Sequence, residues 1–299
     1  MNYMERYLTK NRNFAEYDSA FSEAKYVVLG APFDSTSTYR SGSRFGPVAI
    51  REASINLESY SLRLGRDIDV LKIFDAGDLI IQGTIEENLS CLRLVIEEIR
   101  SAGKIPIVFG GEHTITHGCV QAFNDVALLS FDAHLDMRDE YLGRKLSHAT
   151  FMRRICESIG SDKILEIGIR AVCNEEIEFV DRENVAYITS LEIIKHDKRE
   201  VTNKIRNHLS RFEHLYLTID MDVLDPSYAP AVGNPVPEGL SPTILLDLLQ
   251  NVCEKNIVGV DLVEVSPHYD YGVTAFQAAH IAYNVIAFIE NRSRTKSDS

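Results

Sequence analysis

The sequence predicts an α/β fold in which a mostly parallel sheet is covered by helices on both faces. Three observations carry this expectation: eight short apolar runs rich in β-branched and aromatic residues recur along the chain, segments with helical periodicity separate most of them, and histidines and aspartates follow several runs directly. Strands that alternate with helices need crossover connections. Such connections make neighbouring strands parallel and bury both sheet faces.

In chain order the runs are Lys25 to Leu29, Val70 to Phe74, Ile105 to Phe109, Val126 to Phe131, Ile164 to Ile169, Val185 to Ile188, His214 to Ile219 and Ile257 to Val265. Helical patterns cover Pro47 to Tyr60, with proline at the helix start, then Ile85 to Ala102, Lys198 to Phe212, Pro242 to Lys255 and Thr274 to Glu290. No linker, repeat or low-complexity segment interrupts them, so residues 1–299 read as one domain. The polar end, Asn291 to Ser299, is expected to fray.

Composition narrows the setting. With 299 residues, 45% hydrophobic and 25% charged, the chain is long enough to bury a generous core. Its five cysteines are widely spread and form no CxxC pair, which argues against a disulfide framework or zinc ribbon and for a reducing, cytoplasmic location. The charged N-terminus lacks a signal-peptide core, and no apolar run reaches spanning length, so no membrane association is expected. A formal net charge of -13 without a basic stretch argues against a nucleic-acid partner and suits a cationic substrate.

Ligands of parallel sheets bind beyond the carboxyl ends of the strands. The richest such end is Phe131-Asp132-Ala133-His134-Leu135-Asp136, where carboxylate and imidazole groups occupy every second position. A strand keeps such positions on one side, whereas a helix would separate them. Fully extended, Asp132 and Asp136 would lie about 13 Å apart, too far to share a metal centre, so the backbone must curl there. Taken alone, the motif also suits a solvated strand end. Gly110-Gly111-Glu112-His113 follows another run, its glycines permitting a tight turn, and His113 reads either as a ligand or as a neighbour of a helix cap. Asp220 and Asp222 end a third run, while Asp225 before Pro226 reads as a turn former. Glu264, among apolar neighbours, needs a cationic partner. Together the strand ends offer two histidines and four aspartates without sulfur, a set that suits manganese-like ions, and its excess of carboxylates points to two metals.

Along nearly its whole length the chain also resembles the ureohydrolase family of arginase and agmatinase, and agmatinase within it. The resemblance rests on Ala31-Pro32-Phe33-Asp34, Gly42 to Pro47, GGEHT at Gly110 to Thr114, DAHLD at Asp132 to Asp136, SHAT at Ser147 to Thr150, DMDVLDP at Asp220 to Pro226 and the segment around Glu264. It implies a three-layer α/β/α sandwich around an eight-stranded sheet and a centre of two Mn(2+) ions. By the same resemblance, His113 and Asp136 hold one ion, His134 and Asp222 hold the other, and Asp132 and Asp220 bridge them. His148 matches the family's proton-shuttle histidine; its alternative is a surface loop residue.

The chemistry expected follows from charge. Four aspartates balance two divalent ions, and Glu264 then leaves the site negative, suited to a guanidinium. Resonance makes the guanidinium carbon a poor electrophile, so hydrolysis needs a true hydroxide, which two metals supply. Glu264 orients the substrate, and Asp136 takes the nucleophile's proton and passes it to the leaving amine. Agmatine would give urea and putrescine.

Family members that hold the α-carboxylate and α-amine of arginine carry an asparagine after DxHxD and acidic residues after the later GxR. Here Arg138, Ala171, Val172 and Cys173 stand instead, which argues against arginine. Asp139 and Glu140 are candidates to receive a distal ammonium, from agmatine or its aminopropyl derivative. Other readings are a single-zinc polyamine deacetylase and a noncatalytic relative, although no ligand position is lost. The resemblance further implies a homo-oligomer, trimeric or hexameric.

Overall fold

The strand runs are apolar at odd and even positions because both of their faces are covered. In the computed structural model, which describes residues 2–297, eleven strands form: β1 (Leu8–Thr9), β2 (Tyr26–Ala31), β3 (Tyr60–Ser61), β4 (Arg66–Asp67), β5 (Ile73–Leu79), β6 (Ile105–Gly110), β7 (Ala127–Phe131), β8 (Ile164–Ile169), β9 (Ala186–Thr189), β10 (Leu215–Asp220) and β11 (Ile257–Val263). Ten α-helices accompany them: α1 (Tyr3–Tyr7), α2 (Gly46–Ser54), α3 (Ile85–Ser101), α4 (Ile115–Val120), α5 (Phe151–Ile159), α6 (Asn174–Glu183), α7 (Ser190–Lys195), α8 (Lys198–Leu209), α9 (Pro242–Val252) and α10 (Val273–Ser297).

Nine strands make one sheet in the order β1-β5-β2-β6-β11-β10-β7-β8-β9. The eight expected strands are all present and parallel; the ninth, β1, is two residues long and pairs antiparallel with β5 at the edge. Along β7, Leu129 and Phe131 pack on one side with α2 and α7 to α10, while Leu128 packs on the other with α3 to α6. That division makes the three layers.

Several boundaries differ from expectation for physical reasons. The run at Val70 begins too early, since β5 starts at Ile73 and continues through Asp75 and Asp78, whose charges are met by the fully buried Arg51 of α2 at 2.8 and 2.5 Å. The helix from Pro47 ends at Ser54, and Tyr60 belongs to the small hairpin β3–β4. The strand at Ile257 stops at Val263 because Glu264 turns into the left-handed region. Helix α10 runs on to Ser297, into the polar end expected to fray, and Asp298 and Ser299 lie outside the described residues. Helices α4 to α7 are short and lack the length that periodicity needs.

The strand order positions the polar strand ends. The last two strands in sequence, β10 and β11, insert between β6 and β7. Four strand ends separated by up to roughly half the chain therefore stand side by side. Among the described residues, no helix is long and apolar enough to cross a membrane.

Candidate metal centre

β6, β11, β10 and β7 deliver His113, Glu264, Asp220 with Asp222, and Asp132 to Asp136 to one edge of the sheet. The turn after β6 requires glycine, because a Cβ on Gly111 would lie 2.0 Å from the Phe33 carbonyl oxygen. Gly111 in turn accepts the Glu264 N–H at 2.8 Å, which fastens β11 to the same turn. The curl required of the β7 exit occurs at Asp136, whose φ is 51°, and Glu264 has φ 65°. Non-glycine residues in this region are strained by about 1–2 kcal/mol each, so the surrounding contacts hold both carboxylates against a local preference.

The carboxylates converge on two imidazoles. His113 Nδ1 lies 2.9 Å from Asp132 Oδ2, 3.1 Å from Asp220 Oδ2 and 4.0 Å from Asp136 Oδ2. His134 Nδ1 lies 2.9 Å from Asp222 Oδ2 and 3.7 Å from Asp132 Oδ1. Two groups that could each hold a metal ion result, His113 with Asp132 and Asp220, and His134 with Asp132 and Asp222. Asp132 belongs to both, one oxygen toward each histidine. Backbone amides aim these side chains: His134 N–H donates to Asp132 at 2.7 Å, Asp222 N–H to Asp220 at 2.8 Å and Ala133 N–H to Asp222 at 3.0 Å.

The donor set fits divalent cations. His113 Nδ1 and Asp132 Oδ2 are buried 2.9 Å apart, face each other outside hydrogen-bond geometry and have no other partner, although buried polar atoms are almost always satisfied. Burial, reinforced by the negative charge of Asp132, pushes Asp136 well above the usual carboxylate range; for Asp220, burial is reinforced by Asp222 and Asp132. Cations between these groups relieve both penalties.

A further layer of residues, which sequence reasoning missed, orients the ligands. His113 Nε2 contacts Thr218 Oγ1 at 2.8 Å, Thr218 donates its hydroxyl proton to Asp261, and Thr116 donates to the same carboxylate at 2.9 Å. This leaves His113 Nδ1 to face the carboxylates. Arg170, which lines the cavity described below, is held by main-chain carbonyls, including Asp222 at 2.6 Å and Val236 at 2.8 Å, and so ties two loops together. Thr218 and Asp261 lie inside apolar runs, where their polarity was the available signal.

Above the ligands opens a cavity of about 390 Å³. His113, His134, Asp136, Asp220 and Asp222 reach into it, and Glu264, His148, Tyr141, Thr38, Glu176 and Asn234 contribute to its walls. Glu264 is 7% exposed and accepts the His113 N–H at 2.9 Å; burial, then the neighbouring Glu112, push its pKa up to about 8. Its charge has no cationic side-chain partner among the described contacts. His148 is buried, not the surface loop residue of its alternative reading, and burial with the nearby His134 lowers its pKa to about 4. Asp139 is not brought into the cavity: its half-exposed carboxylate pairs with Arg154 at 2.9 Å and with Arg153 at 3.6 Å. Glu140 is likewise exposed and does not line the walls.

Comparison with known proteins gives a consistent result. The arginase family model matches residues 24–287. An agmatinase of Bacillus anthracis is 37% identical over 265 residues, covering 86% of this chain and 89% of that protein. An N(1)-aminopropylagmatine ureohydrolase of Thermococcus kodakarensis is 34% identical over 265 residues, covering 87% and 89%. The crystal structure of agmatine ureohydrolase of Thermoplasma volcanium superimposes with a TM-score of 0.89 at 39% identity, covering 96% of this chain and 97% of that one.

Proposed function

We propose agmatine hydrolysis, giving urea and putrescine, for this chain, which belongs to the arginase family and is a hydrolase of guanidino compounds. The observation that carries the reading is the pair of His/Asp groups sharing Asp132 beneath a cavity walled by a buried, unpaired Glu264. His113 and Asp136 would hold one Mn(2+), His134 and Asp222 the other, and Asp132 and Asp220 would bridge them. When bound, the two ions acidify water to supply a nucleophile at neutral pH.

The protein's own groups do the rest. A guanidinium entering the cavity supplies the cation that Glu264 lacks, and charge-assisted hydrogen bonds from its N–H groups orient the carbon toward the ligand cluster. Asp136 accepts the proton released by the attacking water and passes it to the departing nitrogen. His148, at the cavity wall, carries protons between the site and solvent. With Asp139 engaged by Arg154, Glu176 is the wall carboxylate outside the cluster available to a distal ammonium, although both its oxygens already accept backbone N–H groups. We take the protein to act as a cytoplasmic homo-oligomer.

A second reading, cleavage of N1-aminopropylagmatine, is favoured by the similarity to the Thermococcus kodakarensis protein. One assay separates the readings: manganese-loaded protein offered agmatine, N1-aminopropylagmatine, arginine and guanidinobutyrate. We expect urea release to be fastest from agmatine. A higher kcat/KM for the aminopropyl compound would select the second reading, and equal rates across the panel would refute both.

A further inference from the structure

Behind His148 lies a hydrogen-bond chain that the reaction outlined above leaves unused. Thr36, in the loop after β2, places its Oγ1 2.6 Å from Glu112 Oε1, 3.0 Å from the His148 backbone nitrogen and 3.2 Å from His148 Nδ1. Glu112, fully buried beside the glycine turn, also receives the Thr114 hydroxyl at 2.6 Å on Oε1 and the Thr36 N–H at 2.6 Å on Oε2. Three donors thus converge on one carboxylate.

Counting protons assigns the histidine tautomer. A threonine hydroxyl has one hydrogen to donate and two lone pairs to accept with. The carboxylate takes that hydrogen, and the His148 backbone N–H occupies one lone pair. The remaining lone pair faces Nδ1, so Nδ1 must carry the ring's hydrogen. The other ring nitrogen, Nε2, is then the basic atom; it faces Thr38 Oγ1 at 3.4 Å, and both residues line the cavity. The Tyr141 ring, edge to face with the imidazole at 5.7 Å, restricts its rotation.

We propose that Thr36, anchored on Glu112, is a positioning residue that fixes His148 with Nδ1 protonated and Nε2 presented to the cavity as the proton-carrying atom. The role rests on the guanidino-hydrolase reading for its kinetic consequence, but the placement of the hydrogen does not. Without the hydroxyl, the contact left to a ring nitrogen is Thr38 Oγ1 at Nε2, a group that can donate or accept and so does not fix the tautomer, and a large share of the histidine would carry its hydrogen on the wrong nitrogen.

Neutron diffraction from deuterium-exchanged crystals of the metal-loaded protein tests the placement directly. Deuterium on Nδ1 is expected; deuterium on Nε2 with none on Nδ1 would overturn the proposal. Kinetics test the role, using the guanidino compound that the wild-type protein hydrolyses best. Thr36→Val keeps the side-chain shape and should lower kcat at least about tenfold, short of the 10²–10⁴ attributable to a general acid itself, with KM and bound metal unchanged. Thr36→Ser, which restores the hydroxyl, should recover most of the rate and keeps the test open if the valine variant fails to fold. Wild-type kcat in Thr36→Val, or a serine variant as slow as the valine one, would refute the role. If the wild type hydrolyses no guanidino compound, the activity reading fails, while the neutron result still decides the tautomer.

Discussion

At the scale of single residues, the centre is defined by what each carboxylate can reach. Asp132 belongs to both ligand groups, so Asp132→Asn should lose at least one of two bound ions by elemental analysis, and two retained ions would show that it does not bridge. Thr218→Val leaves every ligand in place but frees the His113 ring from its relay to Asp261. Metal affinity should fall by about 10- to 100-fold, read by competition with a chelator, and unchanged affinity would remove Thr218 from the site. His148→Asn should lower kcat by roughly 10²–10⁴ with metal content intact. The candidate ligands were legible in the sequence because DAHLD, GGEHT and DMDVLDP each place a polar group directly after an apolar run. Thr36, Thr218 and Asp261 were not, since their roles arise from contacts 112, 105 and 145 residues away or within adjoining strands.

At the scale of elements, α2 is joined to the sheet by a buried charge cluster. Arg51 is fully buried and donates from Nε and Nη2 to Asp75 at 2.8 and 2.9 Å and from Nη1 to Asp78 at 2.5 Å, while the Phe14 N–H also reaches Asp75 at 2.9 Å. Arg51→Met would leave two carboxylates without their cation and should destabilise the protein by about 3–5 kcal/mol in denaturant titration. A loss below about 1 kcal/mol would mean that water or another cation replaces the guanidinium. Helix α4 carries the pH-sensitive counterpart. Burial, then the charge of Arg154, lower the His117 pKa to about 4, whereas in the unfolded chain it titrates near 6.5. Between those values the unfolded chain takes up a proton that the folded one refuses, so stability is present at neutral pH and is lost as pH falls through that window. His117→Gln should therefore lose less stability than wild type between pH 7 and pH 4, by on the order of 1–2 kcal/mol. Equal losses in the two proteins would contradict the assignment.

At the scale of the whole molecule, the candidate centre draws its ligands from β6, β7 and β10, three elements spread along the chain. A ligand that binds only the folded arrangement stabilises it by mass action. Chelation should therefore lower the thermal midpoint and manganese should restore it, as calorimetry would read; an unchanged midpoint would show that the ions are not held by these strands together. The same geometry turns Asp139 away from the cavity. Its loop leaves the β7 exit after the left-handed Asp136, and the carboxylate meets Arg153 and Arg154 of α5, a helix too short to anticipate from periodicity.

The sequence by itself determined the α/β class, the number and position of the long strands, and which side chains could ligate a metal. Hydrophobic periodicity and residue chemistry are local properties, and a strand end declares its polar groups wherever it lies in the sheet. Only the tertiary structure decided that β10 and β11 enter between β6 and β7, that Asp132 faces both histidines, that Glu264 is buried without a cation, and that Thr36 stands between Glu112 and His148. Strand order depends on packing both faces of the sheet at once. That is a balance over the whole chain, which no single stretch of residues records.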